Sequence, residues 1–451
     1  MTKKIVFINP LVEYSSVRDN PIYNRIWPPL SLANCGALLE KHGFDVKIID
    51  ANTEFIKPKE VVRKINGFDK VFITTSTLDR WQCPHLNIHP FLELIREIKK
   101  LNLDIYVMGS HGTMRPKEML KATNVKAIVR GEPELTVLEI CKEKNLKKIK
   151  GITFEKNGKI ISNINRPLLD LNKLPIPAFH LLPMKKYFYE ILGNNFTLFE
   201  GSRGCPFSCI YCLKSMYDDG YRKKSPEKLI EEVKYGIENF NIKTAYFIDL
   251  EFCINRNLVE KLCDFLIEQK YDFKWTCQTR FDTIDLKLLE KMKKSGCEII
   301  HYGVETGSPR IMNIVKKGIT ISQIKRGMKL TKKAGIKQVC FFMFGLPTET
   351  RKDMEMTIKL AKELNPTYAS FHIATPYPGT EFYNMIKNEI DDELFPCYYG
   401  NENELKKTVN KAFLSFYLRP RYIFSRLREG EFKLLGKQIK LFFKYLKRSK
   451  K

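Results

Sequence analysis

The chain has 451 residues, of which 43% are hydrophobic and 30 are Phe. This length supports two or three domains with their own cores, and the composition excludes a disordered chain. The N-terminus lacks the apolar core and cleavage site of a secretory signal, and no stretch approaches the ~20 apolar residues that cross a bilayer. We therefore expect a cytoplasmic protein.

The formal net charge is +26, and residues 411–451 alone contain thirteen Lys or Arg against two Glu. Such a charge is compatible with nucleic acid, acidic lipid or phosphorylated ligands and establishes none of them. The twelve cysteines are typical of reduced thiols and metal ligands in a cytoplasmic chain. Nine of them are scattered singly, and we expect those to be buried apolar thiols.

The first 150 residues alternate between strand and helix patterns. Helix patterns at 30–42, 91–100 and 116–122 separate strand patterns at 4–9, 45–50, 70–75, 104–108 and 125–129. This alternation predicts an α/β domain over 1–148, with a doubly wound parallel sheet of the Rossmann type covered by helices. Ligands of such sheets bind at the carboxyl ends of the strands, near the switch point.

Residues 149–190 predict a hairpin around Asn157-Gly158 and then a connector that Pro175, Pro177 and Pro183 interrupt. From 191 to 385 six strand patterns alternate with helix patterns, which predicts a partial (β/α)6 barrel with its active site at the carboxyl ends of the strands. Residues 386–451 predict a basic, helical C-terminal region.

The last helix pattern of that region leaves two interpretations open. Its apolar side chains recur at helical spacing between lysines: Phe432, Leu435, Ile439, Phe442, Phe443 and Leu446. The helix could pack on the barrel with its basic side in solvent. Alternatively, it could rest on anionic lipid and receive a lipid-like substrate from the membrane.

The most distinctive motif is GSRGCPFSCIYC at 201–212, which directly follows the first barrel strand. Cys205, Cys209 and Cys212 are so close in sequence that their thiolates converge only if the loop wraps around a common centre, and its glycines permit such a wrap. A structural zinc site needs four ligands, usually in two pairs. Three thiolates on a 4Fe-4S cubane instead leave one iron open to a ligand.

This CxxxCxxC loop resembles that of the radical S-adenosylmethionine superfamily. The resemblance implies that S-adenosylmethionine chelates the open iron and that an electron from the cluster cleaves it to methionine and a 5′-deoxyadenosyl radical. Tyr211 matches the family position that lies against adenine. A zinc or redox-thiol loop is the alternative interpretation.

Segments at the later strand ends resemble the same family. They are YFIDLEFC at 246–253, CQTR at 277–280, HYGVETGS at 301–308, FFMFGLPTET at 341–350 and PYPGT at 376–380. The S-adenosylmethionine contacts that the resemblance implies are Asp249, Glu251, Arg280, Glu305, Ser308 and Gly345. The chain departs from the family pattern at Leu250, which separates two acids that are usually adjacent.

The N-terminal domain resembles the cobalamin-binding module fused to one branch of these enzymes. The matching segments are 27–50, 109–111, GEPELT at 131–136 and LPIPAFHLLP at 174–183, and in the tail FYLRPRYI at 416–423. Cobalamin contacts are expected where small residues close the third and fourth strands, namely Ser76, Leu78, Gly109 and Ser110.

The DxHxxG loop that supplies a lower cobalt ligand in many cobalamin domains is missing. Asn9-Pro10-Leu11 stands in its place. Members of the radical branch often lack this histidine as well, so its absence leaves cobalamin binding open, as it does a domain that has kept the fold without the cofactor. We expect His85, His89 and His111 to be surface or loop residues.

The resemblance implies a cobalamin-dependent radical enzyme, a transferase that methylates an unactivated carbon or phosphorus centre. Its partners would be a small-molecule or lipid-like substrate and an electron donor such as ferredoxin or flavodoxin. Oxidative cyclisation or rearrangement with the same cofactors is an alternative. An RNA-modifying enzyme is another, although Cys35, Cys83 and Cys141 are too dispersed for the second cluster of such relatives. A non-catalytic binding protein is the last.

Overall fold

Two blocks of alternating strands and helices form two largely parallel sheets in the computed structural model. The structure describes residues 3–12, 25–79, 83–84, 87–217, 220–389, 398–428 and 436. The α/β fold with a doubly wound sheet and a six-stranded parallel sheet is confirmed. Both sheets arise because short buried apolar strands alternate with helices that have one apolar face.

The first block contains the strands β1 (Lys4–Asn9), β2 (Arg25–Ile26), β3 (Asp45–Asp50), β4 (Lys70–Thr74), β5 (Asp104–Met108), β6 (Ala127–Val129), β7 (Ile152–Lys156) and β8 (Lys159–Ser162). Its helices are α1 (Leu30–Glu40), α2 (Ala51–Glu54), α3 (Pro58–Lys64), α4 (His89–Ile98), α5 (Ser110–Met114), α6 (Pro116–Thr123) and α7 (Glu134–Lys142).

The sheet of the first block has the order β3-β1-β4-β5-β6-β7-β8. The first five strands in this order, β3, β1, β4, β5 and β6, are parallel to one another. Strands β7 and β8 are added antiparallel at one edge. The order reverses between β1 and β4, which makes their carboxyl ends the switch point. The sequence predicts the hairpin as part of a connector; the structure instead adds it to the sheet, because β6 offers an open edge to β7.

The second block contains β9 (Phe188–Tyr189), β10 (Gly193–Asn194), β11 (Phe196–Phe199), β12 (Ser202–Arg203), β13 (Arg222–Lys223), β14 (Thr244–Phe247), β15 (Lys274–Thr279), β16 (Cys297–Glu305), β17 (Lys337–Phe344) and β18 (Tyr368–Ile373). Its helices are α8 (Pro226–Phe240), α9 (Arg256–Gln269), α10 (Leu286–Lys294), α11 (Pro309–Ile314), α12 (Ile321–Lys333), α13 (Arg351–Leu364), α14 (Glu381–Ile386), α15 (Glu402–Tyr417) and α16 (Pro420–Arg428).

The barrel sheet runs in chain order, β11-β14-β15-β16-β17-β18, with every pairing parallel. Simple βα repeats give this order because each crossover returns beside the strand that it left. The carboxyl ends of all six strands therefore face the same side of the sheet, where the predicted site residues lie.

The two blocks share one hydrophobic core. Strand β2 of the first block pairs antiparallel with β9, and Trp27 packs its ring 5.9 Å from Phe196 and 5.3 Å from Tyr246 of the barrel. A second core lies on the other face of the first sheet and includes side chains of β1, β4 and α4. The shared core fixes how the two blocks face each other.

Two helices of the C-terminal region pack on the last barrel strand. The Tyr417 hydroxyl donates to the Ala369 carbonyl over 2.8 Å, and the Tyr422 hydroxyl donates to the Thr367 carbonyl over 2.8 Å. The predicted helix of 432–446 lies outside the described residues. Within the part of the chain that the structure describes, no helix has the length and apolarity needed to cross a membrane.

Candidate functional site

The cysteine loop is closed at its base by a small antiparallel ribbon of β12 and β13. Gly204, which follows β12, has a left-handed φ of +80°, and a Cβ on it would lie 1.8 Å from the Gly220 carbonyl oxygen. Only glycine permits this approach and this backbone conformation. The ribbon and Gly204 therefore force residues 205–217 to bulge out as a loop that carries all three cysteines.

The three thiols are half-buried and close enough to interact electrostatically. Burial, followed by the charges of neighbouring thiols, raises the pKa of Cys212 well above its usual range, and burial also raises that of Cys205. Among the described residues, no three His, Cys, Asp or Glu side chains are close enough to hold a single metal ion. Ligands of a cluster each bind a different iron and need not meet at one point, so this donor set fits a 4Fe-4S cluster.

A cavity of 730 Å³ opens beside these thiols. Its wall combines Thr113 and Gly131 of the first block, residues 165–169 of the connector, the cysteine loop and residues 379–381 after β18. Cavities of this size suit a small-molecule ligand. The three cysteines and residues of the first block therefore line the same cavity.

Asp249, at the end of β14, is buried and holds the start of the cysteine loop. Its carboxylate accepts from the Gly201 amide over 2.9 Å and from the Ser202 hydroxyl over 2.5 Å. Burial raises its pKa to about 7. The contact of Asp249 with S-adenosylmethionine stays a prediction. Its hydrogen bonds to residues 201 and 202 show that Asp249 also stabilises the conformation at the start of the loop.

Glu251 and Arg280 lie at the ends of neighbouring strands and are joined by hydrogen bonds. Glu251 accepts from the Arg280 amide over 3.0 Å and from the Thr283 hydroxyl over 3.0 Å, and burial raises its pKa to about 7. The Arg280 guanidinium lies 3.8 Å from the ring centroid of Phe207 in the cysteine loop. These two residues therefore pack against the loop from the barrel side.

Glu305 pairs with Lys317, a residue that the sequence does not single out. The Lys317 ammonium lies 3.0 Å from the Glu305 carboxylate, and both side chains are about nine-tenths buried. Glu305 has a left-handed φ of +67°, which places its carboxylate against Gly303. Lys317 follows Lys316 in a chain of 77 Lys and Arg, so only its burial distinguishes it.

Tyr211 is half-buried near this pair, and its hydroxyl oxygen is fully buried. Burial raises the pKa of its phenol well above the usual range, and the nearby Glu305 carboxylate and Cys209 thiol raise it further. The structure thus brings Tyr211 of the cysteine loop close to Glu305, the partner of Lys317. The contacts of Tyr211 and Glu305 with S-adenosylmethionine stay predictions.

Ser308 and Gly345 both have structural partners. The Ser308 hydroxyl caps α11 and donates to Asp353 over 2.6 Å. Gly345 has a φ of +83°, and a Cβ on it would lie 2.9 Å from Leu405. Their contacts with S-adenosylmethionine stay predictions.

Glu349 is a second residue that the sequence does not single out. One of its carboxylate oxygens accepts from the Gly345 amide over 2.6 Å, while the other is buried without a hydrogen-bond partner among the described residues. Burial raises its pKa to about 7. A buried acceptor without a partner fits a ligand that brings an N–H or O–H donor, such as S-adenosylmethionine.

The predicted cobalamin contacts lie together at the carboxyl ends of β4 and β5. The Ser76 hydroxyl accepts from the Ser110 amide over 3.0 Å, and a Cβ on Gly109 would lie 2.9 Å from the same hydroxyl oxygen. Leu78 is half-buried and packs against the shared core. The structure brings these four residues together, and their contact with cobalamin stays a prediction.

The adjoining switch point contains an orphaned acceptor at the end of β1. The Asn9 amide donates to Asp50 over 3.0 Å, while its oxygen is buried without a hydrogen-bond partner among the described residues. A ligand with amide or hydroxyl donors, such as the side chains and nucleotide tail of cobalamin, fits this position. The switch point is therefore compatible with the cofactor.

Two expectations about single residues are wrong. His111 is fully buried in α5, because α5 packs on β5, β6 and α6 and the Phe91 ring of α4 lies 5.6 Å from the His111 ring. Cys83 is exposed, unlike the other scattered cysteines within the described residues. His89 is exposed, as expected. His85 and Cys397 lie outside the described residues.

Family models match both blocks of the chain. The radical SAM superfamily model matches residues 199–361, and the B12 binding domain model matches residues 23–140. An uncharacterized methyltransferase of Pyrococcus horikoshii is 33% identical over 450 residues, which cover 94% of this chain and 95% of the relative. An anaerobic magnesium-protoporphyrin IX monomethyl ester cyclase of Rubrivivax gelatinosus is 28% identical over 407 residues, which cover 86% and 71%.

A solved structure has the same fold. The radical S-adenosylmethionine methyltransferase TsrM from Kitasatospora setae, with cobalamin and a 4Fe-4S cluster bound, superposes with a TM-score of 0.68 at 16% identity. The superposition covers 86% of this chain and 75% of that chain. Because the two sequences are only 16% identical, this superposition shows that the two chains share a fold and does not show a shared activity.

Proposed function

This chain belongs to the radical SAM enzymes that carry a B12-binding domain, and from that premise we propose that it methylates an unactivated carbon or phosphorus centre of a small-molecule substrate. Its cofactors are S-adenosylmethionine, a 4Fe-4S cluster and cobalamin. When bound, they supply a 5′-deoxyadenosyl radical and a methyl donor. The observation that carries the proposal is the group of half-buried thiols at a 730 Å³ cavity whose wall includes both blocks.

The chain's own residues hold and orient the reacting groups. Cys205, Cys209 and Cys212 would hold three irons of the cluster. Glu305 and Lys317 would orient S-adenosylmethionine beside them, because a buried ion pair there offers both a hydrogen-bond acceptor and donors. Residues of the first block form part of the cavity wall and would help to exclude water, which protects a radical from side reactions.

Reconstitution tests the cofactor assignment. After anaerobic treatment with iron, sulfide and hydroxocobalamin, we expect about four irons and one cobalt per chain. Cys209→Ala should lose most of the iron, whereas Cys263→Ala, which removes a buried thiol of α9 outside the loop, should retain it. Equal iron in both variants would refute the assignment.

The mass of the product tests the reaction. A candidate substrate should gain one CH₂, accompanied by consumption of S-adenosylmethionine. Oxidative cyclisation is the second candidate, because the chain is 28% identical to a cyclase over most of its length. A product that has lost two hydrogens would favour that reaction over methylation.

We also propose that a small acidic electron carrier, such as a ferredoxin or flavodoxin, reduces the cluster. The net charge of +26 favours an acidic partner. Reduction by such a carrier should slow steeply as salt increases, because screening weakens steering between opposite charges. A rate that does not depend on salt would contradict this proposal.

A further inference from the structure

Arg203 stands immediately before the cysteine loop and is almost completely buried. Its side chain is 1% exposed, and its guanidinium binds three carboxylates that are themselves at most 6% exposed. Its Nε donates to Glu200 over 2.8 Å, and one of its terminal nitrogens donates to Glu134 over 2.7 Å. The other terminal nitrogen donates to Glu132 over 3.3 Å.

These carboxylates come from both blocks. Glu200 follows β11 of the barrel, whereas Glu132 and Glu134 lie between β6 and the first turn of α7 in the first block. Arg203 is two residues from Cys205. A single guanidinium therefore ties the first block directly to the start of the cysteine loop.

Glu132 also closes the ribbon at the base of the loop. Arg203 and Arg222 are directly opposite each other in the ribbon, an arrangement of like charges that is destabilising without a counter-ion. Glu132 lies between them, and its carboxylate also accepts from Arg222 over 3.0 Å and 2.5 Å. The ribbon thus depends on a carboxylate from the other block.

Only arginine suits this position. A planar guanidinium has five N–H donors in a fixed fork and can bind three carboxylates at once, whereas a lysine ammonium is a point charge on a flexible chain. Because the network is buried, every carboxylate in it needs its partner: removing one partner would leave an uncompensated charge in the interior, which is strongly destabilising.

We propose that Arg203 is a positioning residue that, through Glu132 and Glu134, sets the separation between the cluster and the cobalamin-binding block. The inference rests on the proposed function in that it assumes both cofactors. Arg203 is not one of the three cluster ligands, so its loss should loosen the separation of the two cofactors while leaving those ligands in place.

The test compares Arg203→Lys and Glu134→Gln with wild type and with Glu232→Gln. The control is matched, because Glu232 forms an equally buried ion pair with Lys224, over 2.6 Å, entirely within the barrel block. Each reconstituted protein is assayed for iron and cobalt, and pulsed electron paramagnetic resonance measures the separation of the reduced cluster from cob(II)alamin. A role in stability alone would not affect this separation in the folded protein.

We expect all four proteins to retain iron. The distribution of separations should broaden by about 1 Å or more in Arg203→Lys and Glu134→Gln, as in sites whose supporting residues are loose, and it should stay narrow in wild type and Glu232→Gln. Should Arg203→Lys fail to fold, Glu134→Gln decides, since the amide keeps one acceptor for Arg203. Unchanged distributions in the variants, or loss of iron from them, would overturn the inference. Wild type without iron or cobalt would instead refute the proposed function, and the inference with it.

Discussion

At the scale of single residues, the site is built from buried charges that each have partners. Glu305 has Lys317, Glu251 has the amide of Arg280, and Asp249 has the amide of Gly201. Such groups are stable in the interior only because the partner offsets the loss of hydration. Removing a partner should therefore cost far more here than at the surface.

The adjacent lysines 316 and 317 test this difference. Lys317→Met should lower the free energy of unfolding by about 3–5 kcal/mol, because Glu305 is left charged and buried. Lys316→Met removes an ion pair with Glu381 whose side chains are about half exposed, and should cost less than about 1 kcal/mol. Urea denaturation measures both values, and similar losses in the two variants would contradict the argument.

Asp50 should make stability depend on pH. Burial raises its pKa to about 6, against about 3.9 in the unfolded chain. Between pH ~4 and ~6 the unfolded state releases a proton that the folded state keeps, so the free energy of unfolding falls as the pH rises through this window. Asp50→Asn should remove up to about 3 kcal/mol of that change.

Thermal or urea unfolding across pH 4–7 measures the contribution of Asp50 as the difference between wild type and Asp50→Asn. Asp45→Asn, which changes an exposed carboxylate on the same strand, is the control. A difference between wild type and Asp50→Asn that stays constant across the window would show that the Asp50 pKa is not raised.

At the scale of elements, the ribbon of β12 and β13 decides whether the cysteines can act together. Its two strands are only two residues long, so their hydrogen bonds contribute little to stability. The loop instead depends on the close approach of Gly204 to Gly220 and on the bonds that Asp249 accepts from residues 201–202. Steric fit at one glycine therefore has consequences for all three ligands.

Gly204→Ala should abolish cluster binding in an otherwise folded protein, because its Cβ would lie 1.8 Å from a carbonyl oxygen. Gly158→Ala is the matched control: Gly158 has a φ of +71° with no atom within 4 Å of the added Cβ, so it should cost only about 1–2 kcal/mol of strain and retain iron. Iron analysis after reconstitution distinguishes them. Full iron content in Gly204→Ala would refute the steric argument.

At the scale of the whole molecule, the two blocks behave as one because their cores are continuous. Trp27 is 2% exposed and connects them through Tyr189, Phe196 and Tyr246. The ion network around Arg203 connects them a second time, at the functional end. A protein joined at both places should unfold in a single transition.

Trp27→Ala should separate the unfolding of the two blocks. The loss of its ring should cost about 3–5 kcal/mol and give two calorimetric transitions in place of one. Leu94→Ala deletes a buried side chain from the second core, within the first block, and should lower the transition temperature while keeping a single transition. A single transition in Trp27→Ala would show that the remaining contacts suffice.

The sequence by itself determined the strands, the helices and the cysteine loop. Strands β1, β3 and β5 have the predicted bounds, and β4, β6, α1, α4 and α6 differ from theirs by one or two residues at their ends. Such features depend on local patterns of apolar residues, glycines and cysteines, which a single segment contains in full. The spacing of Cys205, Cys209 and Cys212 needed no tertiary information.

Only the tertiary structure decided which residues are buried and which partners they have. Lys316 and Lys317 are indistinguishable in sequence, yet one lies in solvent and the other beside Glu305. His111 is buried and Cys83 exposed for the same reason. Arg203 meets Glu132 and Glu134 across about 70 residues of chain, as the separations of 71 and 69 show. Burial and charge pairing depend on segments that are distant in sequence, and no local pattern encodes them.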